Sequence, residues 1–497
     1  MFQSTRGHGQ RVDAAQAILT GLAPDGGLYV PESFPHLPAL ESFLPLSYQE
    51  RAFQVMRPFM DGYTDEQLRE CCRAAYATGR FDAPEVAPLV HLRDNEYVLE
   101  LWHGPTCAFK DMALQMLPHL LTCAQRTHQG GKVLIMVATS GDTGKAALEG
   151  FAGVPDTRIV VFYPKDGVSH AQKLQMVTQL GDNTHVVALT GNFDDCQTGV
   201  KRLFNDPAFV GDAERRGWNL SSANSINWGR LAPQIAYYVS AYADLVQRGA
   251  VACGDPVDFA VPTGNFGNIL AAEYARRMGL PIRTLLCASN KNNILTDFFN
   301  TGVYDVNRPF YLTPSPSMDI LVSSNLERLL FELADRDGAM VEGWMGKLAA
   351  KQPYRLEGAA AARLRQGFDA GWADIERARA SIRRAWQQEH YLMDPHTAVA
   401  QAVAEDWANR DPKVPLVVVS TAHPYKFGPE VARALWGDDS VPEGDEFRLL
   451  DRLAQETSVP IPGPLAAVRT LPVRHTLVCG PGEMAPAVWQ AWEGERA

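Results

Sequence analysis

An α/β fold built on open, mostly parallel sheet is predicted for this 497-residue chain by three observations. Continuous apolar runs recur, as in Val133-Leu134-Ile135-Met136-Val137-Ala138, with the texture of strands buried on both faces. Each run passes through a short turn, often carrying glycine, into a helical stretch. Strand and helix then alternate at the spacing of βαβ units, and ligands on such sheets bind beyond the carboxyl ends of the strands.

Taken in order, the first 90 residues read as mostly helical. Ser47-Tyr48-Gln49-Glu50 and Thr64-Asp65-Glu66-Gln67 both fit a capping box, and Pro24-Asp25-Gly26-Gly27 is a turn ahead of Leu28-Tyr29-Val30. Val133–Ala138 enters Thr139-Ser140-Gly141-Asp142-Thr143-Gly144 and a helix from Lys145. Ile159–Tyr163 precedes a helix over 172–180, and Val186–Leu189 precedes one over 196–204. Phe259-Ala260-Val261 enters Thr263-Gly264-Asn265-Phe266-Gly267-Asn268 and the helix Ile269–Met278. Residues 308–317 are proline-rich and read as an irregular connector, while about 340–390, rich in Ala, Arg, Glu and Gln, reads as helical. The last strand, Val414–Val419, leads into Ser420-Thr421-Ala422-His423-Pro424; its Pro415 argues for the strand's start or an edge position. The tail after Pro460 is weakly patterned.

Composition bounds the function. The length prior suggests about three domains, and 46% hydrophobic with 21% charged residues is the balance of a soluble globular protein. No run approaches the roughly 20 apolar residues of a membrane-spanning helix, and a net charge of −11 disfavours a general nucleic-acid or lipid surface. Met1–His8 lacks a basic-then-apolar leader, and eight scattered cysteines without a C-x-x-C pair read as free thiols of a reducing cytoplasm. No clustered metal ligands or H-E-x-x-H occur. Gly144-Lys145 ends like a P-loop, but Thr139 and Ala146 stand where that motif requires glycine and Ser or Thr. Neither G-x-G-x-x-G after a strand nor G-x-S-x-G is present.

Three constellations remain. A Gly-containing turn feeding a helix start directs free amides and a favourable dipole at an anion, so Gly264–Asn268 suits a phosphate; a plain strand-to-helix turn is the alternative. Lys110 follows an apolar Cys-Ala-Phe run, where burial would lower its pKa toward the free amine that imine chemistry requires. Its alternative is a lysine snorkelling to solvent. Only with a phosphate cradle does Lys110 point to pyridoxal phosphate, which requires both. Asn224, Ser225 and Arg230 could hold a second anion, or Asn224 or Ser225 could simply cap a helix.

Taken together these blocks closely resemble the threonine synthases, pyridoxal-phosphate enzymes of fold type II. The resemblance runs from about Ser4 to Phe427 and includes Ser4–Gly7, Leu22–Pro31, His103–Thr106 with Phe109-Lys110-Asp111, Ala138–Gly144, Gly191–Gln197 and Asn224–Trp228. It continues through Val261–Gly267, Ser317-Met318-Asp319, Val322–Asn325, Asp394–Ala398 and Ser420–Pro424, and the long N-terminal blocks are similar to the longer class of bacteria and fungi. The departures are Asn268, where many relatives carry an acid, and Tyr425 at a variable position.

The resemblance implies two α/β lobes enclosing pyridoxal phosphate. It divides the chain into a mainly helical N-terminal domain (1–90), a catalytic core (91–425) and a C-terminal region (426–497). The core has a smaller lobe near 130–240 and a helical insertion near 320–390. By resemblance Lys110 holds the cofactor covalently, Gly264, Asn265, Phe266, Gly267 and Asn268 hold its phosphate, and Thr421 faces its ring nitrogen. Ser140, Gly141, Asp142, Thr143 and Gly144 lie by the cofactor ring and substrate carboxylate; Asn224, Ser225 and Arg230, with Thr143, grip a substrate phosphate. The implied reaction turns O-phospho-L-homoserine and water into L-threonine and phosphate, in a cytoplasmic monomer or small homo-oligomer with no metal, membrane or nucleic-acid partner. Two other readings stand beside it: another lyase of the same cofactor class, such as a dehydratase, and a catalytically silent homologue. Arg230 argues against a plain serine dehydratase, and the intact lysine and phosphate loop argue against a silent protein.

Overall fold

The computed structural model describes residues 1–497 apart from 129–130, 140, 167, 169, 442–445 and 494–497. Two sheets carry the chain. The larger has six strands in the spatial order Phe368–Trp372, Ile282–Ser289, Val257–Pro262, Leu416–Ser420, Glu96–Glu100, Leu89–Arg93. All its pairings are parallel except the last hairpin. The smaller has five parallel strands in the order Val478–Cys479, Thr184–Leu189, Thr157–Pro164, Lys132–Ala138, Trp218–Ser221.

The apolar runs are strands buried on both faces, and the period of two divides them between separate cores. In the large sheet Phe259, Val261, Leu285, Cys287, Val417 and Val419 face the helices Trp228–Gln247 and Gly267–Arg277. The alternate residues Ala260, Leu286, Ala288, Leu416 and Val418 face the helices Pro395–Glu405 and Gly428–Trp436. The small sheet divides likewise. Val133, Ile135 and Val161 join the main core, whereas Leu134, Met136 and Phe162 pack with Val488 and Trp492 of the C-terminal helix Met484–Glu493. Each such buried aliphatic side chain contributes about 1.5–3 kcal/mol relative to an exposed one.

Several expectations change. The first 90 residues are less helical than predicted: the α-helices Ala14–Thr20, Tyr48–Met56 and Asp65–Ala75 alternate with irregular chain and the strand pair Phe2–Ser4/Tyr29–Pro31. Thr64 and Gln67 close a full capping box, but only half of the one at Ser47 forms, because Glu50 pairs with Arg69 instead. The stretch 340–390 is not helical throughout: Phe368–Trp372 forms the edge strand of the large sheet, between the helices Gly358–Leu364 and Ile375–Glu389. This strand is mostly half-buried and holds Gly371, whose missing side chain leaves room for Val403, so it lacks the apolar alternation that announces a strand. Of the two positions offered for Pro415, the strand's start is the one realised: it immediately precedes the central strand Leu416–Ser420, and its carbonyl accepts the amide of Asp258. The weakly patterned tail returns to the small sheet through Val478–Cys479. All eight cysteines are free thiols, and no helix among the described residues is long and apolar enough to cross a membrane.

The loops singled out by sequence all leave carboxyl ends of strands. Leu101–Phe109 follows Glu96–Glu100, the 139–144 turn follows Lys132–Ala138, and 222–227 follows Trp218–Ser221. Thr263–Phe266 follows Val257–Pro262, and Thr421 follows Leu416–Ser420. Both sheets thus direct their functional ends at one cleft.

Candidate active site

The turn after Val257–Pro262 is shaped by its carbonyls. Gly264 O accepts from Ser323 Oγ at 2.7 Å, and Asn265 O accepts from the amide and the Nδ2 of Asn325 at 3.1 and 3.0 Å. With the carbonyls drawn to one side, the amides of Gly264 through Asn268 find no acceptor among the described residues. Phe266, left-handed at φ 63°, leads into the helix Gly267–Arg277, whose dipole adds positive potential at the same point. Gly264 is required sterically, since a Cβ there would lie 2.4 Å from Ser317 O. Asn268 Oδ1 accepts from the Tyr237 and Tyr238 hydroxyls at 2.5 and 2.6 Å, while its Nδ2 is buried without a partner. An unpaired buried donor beside free amides is the chemistry of an anion cradle.

Lys110 meets this turn through Ser317, which packs against Gly264. The chain before it runs beside 421–423, with Phe109 N donating to Thr421 O and His423 N donating to Cys107 O. Lys110 Nζ lies 3.2 Å from Ser317 Oγ and 3.8 Å from Asp142 Oδ2. Burial lowers its ammonium pKa below the ordinary value; Asp142 opposes this, while Lys426 and Arg230 push the same way. Asp142 begins the small-lobe helix Asp142–Phe151, and its Oδ1 accepts from Lys426 Nζ at 3.0 Å. Burial alone would raise the Asp142 pKa, but Lys426 and Lys110 hold it well below the usual carboxylate range. Lys426, almost wholly buried, also donates to Thr106 O at 2.7 Å. One carboxylate therefore bridges two lysines across the cleft.

In the 139–144 turn Thr139 Oγ1 folds forward and accepts from the amides of Gly141 and Gly144 at 3.0 and 2.9 Å. Thr143 is half-buried beside it, and Ser140 lies outside the described residues. On the third loop, Asn227 rather than Asn224 or Ser225 caps the helix Trp228–Gln247, leaving those two at the rim, where Asn224 Oδ1 accepts the Ser225 amide. Arg230 is buried. Its NH1 donates to Ala223 O at 2.6 Å, its Nε has no partner, and burial with no compensating acid lowers its pKa to about 10. A guanidinium held this way favours an anion from outside the chain.

Sequence reasoning missed the supports. Lys426 had no assigned role, and Ser317, His396, Ser323 and Asn325 stood only within matching blocks. Arg328 was not singled out at all. It is wholly buried, donating to Tyr29 O, Asn325 Oδ1 and Ile226 O at 3.0, 2.6 and 2.7 Å, so it ties the N-terminal segment, the anion cradle and the Arg230 loop together. Nothing local in the sequence marks these residues; a charged residue within Leu326–Leu333 reads as surface until the packing is known.

Comparison with known proteins gives three consecutive family matches. Residues 1–76 match the threonine synthase N terminus, 81–421 the pyridoxal-phosphate-dependent enzymes and 397–469 the threonine synthase C-terminal family. The threonine synthase of Pseudomonas aeruginosa is 41% identical over 482 residues, covering 95% of this chain and 98% of that one. Threonine synthase-like 1 of Homo sapiens is 43% identical over 442 residues, 86% of this chain; the chain spans only 59% of that relative's length. The crystal structure of PLP-bound threonine synthase from Brucella melitensis superposes with a TM-score of 0.88 at 37% identity, covering 100% of this chain and 99% of that one.

Proposed function

The chain belongs to the threonine synthase family of pyridoxal-phosphate-dependent enzymes, and on that premise we propose that it converts O-phospho-L-homoserine and water into L-threonine and phosphate. The observation that carries this reading is Arg230, a buried cation with an unpartnered Nε and no acid to offset it. The amide cradle at Gly264–Asn268 already suits one phosphate, so a second anion site beside it fits a phosphorylated substrate.

The residues divide the work. Lys110 Nζ would hold the cofactor, with the amides of Gly264, Asn265, Phe266, Gly267 and Asn268 on its phosphate and Thr421 at its ring nitrogen. When bound, the cofactor supplies a conjugated electron sink that acidifies the protons on the substrate's α and β carbons. Ser140, Gly141 and Thr143 would hold the substrate carboxylate, with Asp142 beside the cofactor ring. Arg230, with Asn224, Ser225 and Thr143, would hold the phosphate that leaves. Lys110, freed as substrate binds, is the proton carrier: burial lowers its ammonium pKa below the ordinary lysine value, so it gives up a proton more readily than an exposed lysine does.

The test is the full-length chain with pyridoxal phosphate and O-phosphohomoserine, following phosphate and threonine together. Equal amounts are expected; phosphate without threonine overturns the synthase reading. Lys110→Ala abolishes turnover, and Arg230→Ala raises KM at least tenfold, a factor worth about 1.4 kcal/mol.

A further inference from the structure

We infer that Ser317, fixed in place by His396 and Asp394, is the positioning residue of Lys110: its hydroxyl takes one N–H of Nζ and so sets the direction of the amine's lone pair. The inference rests on the reading of Lys110 as the proton carrier.

Ser317 is held through its amide and its hydroxyl. Its amide donates to His396 Nε2 at 3.3 Å, its Oγ lies 3.2 Å from Lys110 Nζ, and its carbonyl packs against Gly264 where a side chain would otherwise be. The short turn Pro316–Met318 is pinned on its far side. Asp319 there accepts from the amide and hydroxyl of Thr313 and from the side chains of Asn290 and Asn292, at 2.7–2.9 Å. The end of the proline-rich connector is thus held in one place.

His396 cannot serve two tautomers. A backbone amide can only donate, so Nε2 must accept from Ser317, which leaves Nδ1 to donate to Asp394 Oδ1 at 2.8 Å. Asp394 is fully buried; its Oδ1 also takes the His396 amide, and its Oδ2 takes the amide and hydroxyl of Thr397. The imidazole therefore has one orientation, and it passes that constraint to Ser317.

Among the described residues Ser317 Oγ is the one hydrogen-bond partner of Lys110 Nζ, because Asp142 Oδ2 at 3.8 Å is beyond that range. A hydroxyl suits the task better than a carboxylate would. It fixes one N–H without adding a charge that would hold the amine as ammonium, and a proton carrier must keep its lone pair aimed between two neighbouring carbons.

Ser317→Ala and Ser317→Thr separate the hydroxyl from the turn, and His396→Leu and His396→Gln separate the acceptor from the ring. With O-phosphohomoserine, Ser317→Ala is expected to lose about 10- to 100-fold in kcat with KM within threefold, the scale of a mispositioned catalytic group. Ser317→Thr is expected within about fivefold of wild type on the same scale. His396→Leu follows Ser317→Ala more weakly, and His396→Gln, whose amide oxygen can accept the Ser317 N–H, recovers. A second readout is independent of turnover. In the cofactor-free chain, acetylation of Lys110 by acetic anhydride is measured by peptide mass spectrometry against the exposed Lys201. Its relative rate should change at least threefold in Ser317→Ala and stay at the wild-type value in Ser317→Thr. Wild-type kcat and wild-type acetylation in Ser317→Ala overturn the inference, as does an equal kcat loss in the Ala and Thr variants. If wild type makes no threonine, the functional reading falls, while the acetylation ratio still decides the role of Ser317.

Discussion

Two turns in this molecule share one local recipe and end in opposite electrostatic states. Thr139–Gly144 and Thr263–Asn268 each carry a buried strand through threonine and glycine into a helix. In the first, the threonine hydroxyl turns forward and takes the amides of Gly141 and Gly144, so two of the turn's N–H groups are used within it. In the second, the Thr263 hydroxyl turns back to Val261 O at 2.7 Å, and Ser323 and Asn325 draw the carbonyls aside, so the amides stay free. The closed turn presents a carboxylate, Asp142, to two lysines; the open turn presents N–H groups to an anion. A glycine turn before a helix is therefore only a candidate anion site, and what consumes or releases its amides decides the outcome.

The largest effect should come from removing the charge that the closed turn presents. Asp142→Asn leaves Lys110 and Lys426 buried without their shared carboxylate, and breaking such a pair costs about 3–5 kcal/mol. Denaturant unfolding at neutral pH should show that loss. The pH dependence has a definite sign. Asp142 is depressed below its ordinary pKa of 3.8, so its contribution is complete above that value and disappears as pH falls below it. The difference between wild type and Asp142→Asn should narrow on acidification; a constant difference down to pH 3 would show that the ion pair is not its source. The next effect belongs to the open turn. Gly264→Ala drives a Cβ onto the Ser317 carbonyl and should weaken pyridoxal phosphate binding about 100-fold, or about 2.7 kcal/mol, with little change in global unfolding. Equilibrium titration of the cofactor-free chain checks it.

The central strands of the small sheet were legible because burial on two faces forces continuous apolar runs, and Val133–Ala138, Ile159–Tyr163 and Val186–Leu189 all lie inside observed strands; in the large sheet Val257–Pro262 and Leu416–Ser420 were read, but the interior strand Ile282–Ser289 was passed over. Strands at edges were not legible. Phe368–Trp372 is half-exposed and glycine-bearing, and Val478–Cys479 is two residues long. The Leu89–Arg93/Glu96–Glu100 hairpin turns at Asp94-Asn95, a signal just past the first 90 residues where no strand was read. In the site, the free amides of Gly264–Asn268 and the burial of Lys110 agree with what their local setting implied. The supports were hidden for a physical reason. Ser317, His396, Lys426 and Arg328 act through polar contacts with groups roughly 80 to 320 residues away, and neither periodicity nor spacing encodes a partner at that distance.

Thr139→Val tests the closed turn by a smaller step. It removes the acceptor of two buried amides, which should cost about 2 kcal/mol of stability and leave cofactor affinity within about twofold. A large fall in cofactor affinity would show that this turn is part of the anion cradle and would erase the contrast between the two.

The smallest effect tests whether the open turn is held open from outside. A guanidinium only donates, so Arg328 NH1, 2.6 Å from Asn325 Oδ1, fixes which end of that amide faces it. Nδ2 is left to hold Asn265 O, and Asn325→Ala frees that carbonyl while the Asn325 backbone amide still binds it. One of two restraints is lost, so cofactor affinity should fall about 5- to 10-fold, or about 1–1.4 kcal/mol. Asn325→Asp keeps the acceptor for Arg328 but removes the Nδ2 donor and brings a carboxylate beside the cradle. If the free amides are the cofactor's phosphate site, Asn325→Asp should bind it more weakly than Asn325→Ala, and the gap between the two should shrink as added salt screens the charge. Equal affinities would mean that the phosphate does not sit at this turn, and the distinction between the two turns would then rest on Asp142 alone.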